Sequence, residues 1–168
     1  MISRAVFLIF AFVAPLALAG CQPPAQLLVK NAYVQLSADP DMPSSGYFTV
    51  QGGPEDVALM AVTAPSAQRV MMHETIEKDG VSRMAPVEKV NIPSRANVAF
   101  MPGGRHLMIF GIDEGARRKG TLALQFIFSN GDRILVDAKL QDIAGNPAKS
   151  DAAGPAPASE AWPTNTEQ

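Results

Sequence analysis

TLALQFIFSNGDRILVDAKL, residues 121–140, sets Leu122, Leu124, Phe126 and Phe128 before Asn130-Gly131, and Ile134, Val136, Ala138 and Leu140 after it. Both apolar sets alternate with polar or small residues, the period of a strand with one buried face. Asn-Gly supplies the positive φ angles that a two-residue type I′ turn requires, so the spacing predicts a hairpin with one face toward a core.

Working outward, the same punctuation recurs: short apolar or alternating runs separated by Gly, Pro, Asn and Asp clusters. Candidate strands are 27–36, 46–51, 57–62, 69–74, 81–87, 89–92, 96–101, 106–112, 121–129 and 132–140, and some of these ten are expected to merge. No segment shows clear helical periodicity. The chain is therefore expected to be all-β, and strands of this length and spacing favour a sandwich or small barrel over a flat sheet.

The ends read differently. Residues 1–20 hold a positive start at Arg4 and an apolar run from Ala5 to Leu18 containing Pro15. That run falls short of the roughly 18 residues of a spanning helix, so it is expected to be a signal peptide. Leu18-Ala19-Gly20-Cys21 resembles the bacterial lipobox, which makes Cys21 the expected lipidated N-terminus of the mature chain. A single thiol cannot form an internal disulfide, and an odd exposed Cys is a liability in an exported protein. Residues 21–26, with two prolines, read as a tether, and 144–168, with four prolines and no aliphatic residue larger than Ala, as a disordered tail. The folded domain is expected over 27–143. Without residues 1–20 the chain keeps 13 Lys+Arg against 16 Asp+Glu, a balance of −3. It has no basic run interleaved with aromatics, which argues against a nucleic-acid partner.

The chain has two histidines, His73 and His106, and Met108 follows the second by two residues. In a strand, residues i and i+2 share a face, so His106 and Met108 can form a chelating pair. Pro102-Gly103-Gly104 marks a turn just before them. His73 and Met84 flank a turn expected at Lys78-Asp79-Gly80, and the hairpin it makes brings their strands together; the spacing permits contact without requiring it. A lone Met on a strand usually fills core gaps, and that reading is kept for Met60, Met71, Met72 and Met101. Of these, Met71 also shares a face with His73 and is the reserve donor; Met42, beside Pro43 in a Pro- and Asp-rich loop, offers a lesser alternative as an exposed thioether near a site.

Taken jointly, His73, Met84, His106 and Met108 spell His-x10-Met-x21-His-x-Met. This resembles the signature of the periplasmic PCuAC-type copper chaperones. The resemblance extends to Asn31-Ala32-Tyr33-Val34, Gly46-Tyr47-Phe48, Ala64-Pro65-Ser66-Ala67, Val90-Asn91-Ile92-Pro93 and Pro102-Gly103-Gly104-Arg105-His106-Leu107-Met108, across residues 28–140. It implies a cupredoxin-like Greek-key barrel or sandwich whose cargo is copper(I), bound by His73, Met84, His106 and Met108. Three departures stand out: residues 51–56 replace a more usual turn, Thr75 stands where Met often follows His-Glu, and the tail lacks His and Met.

The donor set suits that cargo. Thioethers are soft and select copper(I), whereas zinc sites draw on Cys and His, and calcium or magnesium sites on oxygen. Blue-copper electron transfer needs a thiolate, and the one thiol is Cys21. Hydrolysis lacks a Gly-x-Ser-x-Gly motif and would claim histidines already assigned. The chain thus reads as a carrier rather than an enzyme, a monomer held by its lipid on the periplasmic face of a bacterial membrane. The resemblance implies delivery to a copper-accepting subunit of cytochrome oxidase or an assembly factor. Copper sequestration for tolerance, and a metal-free envelope scaffold, are the alternatives.

Overall fold

The computed structural model describes residues 25–148. The expected signal peptide, Cys21 and residues 149–168 lie outside the described residues. Ten strands and one short helix follow in the order β1 Leu28–Gln35, β2 Ser44–Gln51, β3 Val57–Thr63, β4 Ala67–Lys78, β5 Val81–Pro86, β6 Val90–Ile92, β7 Asn97–Phe100, β8 Arg105–Ile112, α1 Glu114–Lys119, β9 Thr121–Phe128 and β10 Arg133–Gln141. The expected merging does not occur. Positive-φ residues interrupt the chain where it was anticipated, Asp79 and Gly80 between β4 and β5, and Arg95 between β6 and β7.

All ten strands join one mixed sheet in the order β5-β4-β8-β2-β1-β10-β9-β3-β6, with β7 also paired to β2. The sheet curls around a single core to which every strand except β5 contributes a buried residue. Phe48 stacks on Phe100 at 4.2 Å and meets Phe126 edge-on at 4.8 Å, which ties β2, β7 and β9 together at the centre. Parallel pairing of β1 with β10 brings the two ends of the domain side by side.

The β9–β10 hairpin forms as expected, but its turn is not the two-residue type I′. Gly131 alone has a positive φ, 90°, Asn130 does not, and the Gly131 and Phe128 amides bond to the Phe128 and Asp132 carbonyls respectively. This is a three-residue loop with a glycine bulge. The alternation demands it: Phe126 pairs with Ile134 and Leu124 with Val136, even with even, whereas a two-residue loop would turn one apolar set to solvent. Helix α1 was not anticipated. Six residues are too few for periodicity to show, and its caps define it: the Asp113 carboxylate accepts the Ala116 amide at 2.7 Å, and Gly120 closes the C-terminus at φ 73°. Beyond β10 the chain turns back, Pro147 bridging Gln141 and the Ala148 amide bonding to the Leu140 carbonyl, so the first residues of the expected tail pack on the domain.

Candidate metal centre

β4 is the strand that organises the site, because it pairs with β5 on one side and β8 on the other. Against β8 the register sets Arg69 opposite Phe110, Met71 opposite Met108 and His73 opposite His106. Directly opposed residues share a face. These three pairs therefore form a ladder on the side of the sheet away from the core: a guanidinium over a ring at 4.3 Å, then two thioethers, then two imidazoles. The intervening residues Met72, Leu107 and Ile109 point the other way and are buried in the core. The Glu74–Arg105 ion pair also lies on that other face.

A type II turn fixes His106. Met101 to Gly104 closes with a 3.0 Å bond from the Gly104 amide to the Met101 carbonyl, Pro102 occupying the position that prefers proline and Gly103 the one needing positive φ, here 79°. The turn presents the Gly104 carbonyl inward, where it accepts the Thr75 amide at 3.2 Å and His106 Nδ1 at 3.0 Å. A carbonyl oxygen can only accept, so Nδ1 carries a proton and, in the neutral ring, Nε2 keeps the lone pair. Such a bond to the remote nitrogen is the usual means of orienting a metal-binding imidazole. His106 is only 6 % exposed, so its ring is held by packing as well.

His73 faces it with ring centroids 6.2 Å apart. Both nitrogens of His73 are buried and neither has a hydrogen-bond partner. A buried unpaired polar group of this kind costs about 1–3 kcal/mol, and native structures rarely retain one without a functional reason. Two orphaned nitrogens opposite an imidazole with a free Nε2, beside thioethers, fit a soft cation. Among the described residues no three His, Cys, Asp or Glu side chains come together. The thioethers on this face are the further soft donors beside the two imidazoles.

Met84 arrives from β5. The Asp79-Gly80 turn, both residues at positive φ, pairs Lys78 with Val81 and so places Met84 opposite Thr75, with His73 opposite Pro86. Met84 is consequently diagonal to His73 on the same face, a separation of about 7–8 Å between backbones that a long thioether can span. It is 64 % exposed, on a strand that adds nothing to the core. The structure thus brings all four expected donors to one face. Met71, the reserve donor, lies among them, while Met42 and Met101 are exposed in loops. Ser45, opposite Met108, extends the same face along β2 toward Tyr47, whose ring lies 5.2 Å from that of Tyr33. Burial, with Tyr47 nearby, raises the Tyr33 phenol above its ordinary range. The tyrosines carried no chemical signal in the sequence beyond the family resemblance.

Burial, then the neighbouring His106, lowers the pKa of His73 below the ordinary imidazole value. A lowered value means that the unfolded chain binds the proton more readily, so protonation opposes both the native fold and metal binding. Copper(I) affinity is therefore expected to be level from about pH 8 to 7 and to fall only below about pH 6.5, since His73 resists protons until then. Competition against a copper(I) chelator at stepped pH measures this. A decline already complete at neutral pH would contradict it.

The fold is that of a mostly β domain of the PCuAC type. The LpqE-like family profile matches residues 27–140, and the chain belongs to that family. It is 25% identical over 88 residues to Lxx21020 of Leifsonia xyli subsp. xyli, which carries a lipoprotein designation, covering 52% of this chain and 53% of that protein. It is also 25% identical over 99 residues to the uncharacterized protein RP573 of Rickettsia prowazekii, covering 58% of this chain and 55% of that protein. The chain thus spans about half the length of these relatives. Among solved structures, the copper-bound PCuAC domain from PmoF2 superposes with a TM-score of 0.57 at 13% identity, over 72% of this chain and 97% of that one. Apo-DR1885 from Deinococcus radiodurans superposes at 0.52 with 20% identity, over 87% and 99%.

Proposed function

We propose that this chain is an extracytoplasmic copper(I) carrier that binds the ion through His73, Met84, His106 and Met108. The observation that carries this is His73, whose two buried and unpartnered nitrogens face the anchored imidazole of His106. The copper-bound state of the PmoF2 domain, which shares the fold, supports it. The two imidazoles are held by β4 and β8, while Met84 sits on the exposed hairpin arm. An acceptor can reach Met84 first and replace the ligands one at a time, so the ion need never be free in solution.

The acceptor in this reading is a copper-accepting subunit of cytochrome oxidase or an assembly factor, and the carrier is a monomer. A lipid on Cys21 anchors it at the periplasmic face of the membrane. The lipoprotein designation of the family and of Lxx21020 supports the anchor. Among the described residues no helix is long and apolar enough to cross a bilayer.

The test is oxidase activity in a deletion strain across a copper series, complemented with wild type, with His106→Ala plus Met108→Ala, or with Cys21→Ser. Deletion should depress oxidase most at low copper and be corrected by added copper, since free metal then loads the acceptor unaided. The donor-site variant should fail to complement at low copper, and Cys21→Ser should leave the membrane fraction. Normal oxidase at limiting copper, with growth defects only at toxic copper, would favour sequestration instead.

A further inference from the structure

We infer that Met71 is a fifth soft donor of the site, an inner thioether able to take the place of Met84. This rests on the carrier reading above and adds a ligand outside the His-x10-Met-x21-His-x-Met pattern. Within the β4–β8 pair, Met71 is directly opposite Met108 and two residues from His73, so it completes a rectangle with Met108, His73 and His106. All four come from two strands that also contribute to the core, and Met71 is half-buried. Met84, in contrast, is diagonal to His73, on the edge strand that supplies no core residue, and largely exposed. Two sets of two imidazoles and two thioethers are therefore available, and they differ only in whether the second thioether is Met71 or Met84.

The consequence is a site with an outer and an inner form. In the outer form Met84 completes the set and copper(I) is reachable at the sheet edge. When the β4–β5 arm moves or an acceptor displaces Met84, Met71 supplies the missing sulfur, and the ion stays bound by two imidazoles and two thioethers. Both thioethers are neutral, so the exchange moves no proton and changes no charge.

The test uses the full chain with carbon-13-labelled methionine methyl groups, titrated with copper(I), and chelator competition on the same samples. Met71→Leu, Met84→Leu and the double variant are compared, because leucine keeps side-chain volume; thermal melts establish that each is folded. In Met84→Leu the Met71 and Met108 methyl signals should both move with copper(I) while that of Met72, on the core face, does not. Affinity should drop no more than about tenfold in Met84→Leu, and at least about tenfold further in the double variant. A stationary Met71 signal in Met84→Leu, or a double variant that binds as tightly as Met84→Leu, would overturn the inner-donor inference. Wild type that binds no copper(I) would instead overturn the carrier reading itself, so the two failures are distinguishable.

Discussion

Replacing His106 and Met108 together by alanine is expected to weaken copper(I) binding at least about a hundredfold, or roughly 2.7 kcal/mol, because no second imidazole can replace His106 and Met71, opposite Met108 on β4, can restore only a thioether. His106→Ala alone should cost at least about tenfold, and Met108→Ala alone less, because Met71 opposite it can supply a thioether in its place. The two sites differ in how they fail. His106 is buried and donates Nδ1–H to the Gly104 carbonyl, so His106→Ala also leaves that acceptor with only the Thr75 amide. Met108 lies partly exposed and makes no polar contact, so Met108→Ala should leave the fold nearly intact while removing a sulfur. Chelator competition, run beside circular dichroism, separates lost donors from lost structure. A folded double variant with wild-type affinity would remove β8 from the site.

The largest effect on stability is expected at Phe126. It is fully buried on β9 and meets Phe48 edge-on at 4.8 Å, with Phe48 in turn stacked on Phe100. Phe126→Ala should cost about 3–5 kcal/mol, combining lost transfer energy with the cavity that a strand-bound core cannot close. Leu135, one strand away and 66 % exposed, provides the contrast: Leu135→Ala should change stability by no more than about 0.5 kcal/mol. Urea unfolding of both variants tests this. A Phe126→Ala loss no larger than that of Leu135→Ala would mean that the core is not centred where the aromatic cluster places it.

Much of this arrangement was legible in the sequence, for identifiable reasons. Strand alternation is a local signal, and it located all ten strands. The two-residue spacing of His106 and Met108 fixed a shared face as soon as a strand was assumed. The Asp79-Gly80 turn held still more: read as a two-residue turn, it sets Met84 opposite Thr75 and not opposite His73. Asn130-Gly131 misled because the dipeptide was weighed without the parity of the apolar residues around it, and parity selects a three-residue loop.

The pairing of β4 with β8 was not legible. No turn joins these strands, and their register follows from how Met72, Leu107 and Ile109 seat in the core, a long-range packing outcome. For that reason Met71 facing Met108, and the two unpartnered nitrogens of His73, emerge only in three dimensions. Helix α1 escaped notice because its evidence is capping chemistry at Asp113 and Gly120 rather than a repeating apolar stripe.

The most direct test of copper(I) carriage is a titration of residues 22–168 with copper(I) against a chromogenic chelator, followed by X-ray absorption of the loaded protein. One copper(I) per chain, with both imidazole nitrogen and thioether sulfur around the metal, is the expected result. Binding no tighter than that of the His106→Ala plus Met108→Ala variant, or a metal surrounded by nitrogen and oxygen without sulfur, would contradict it.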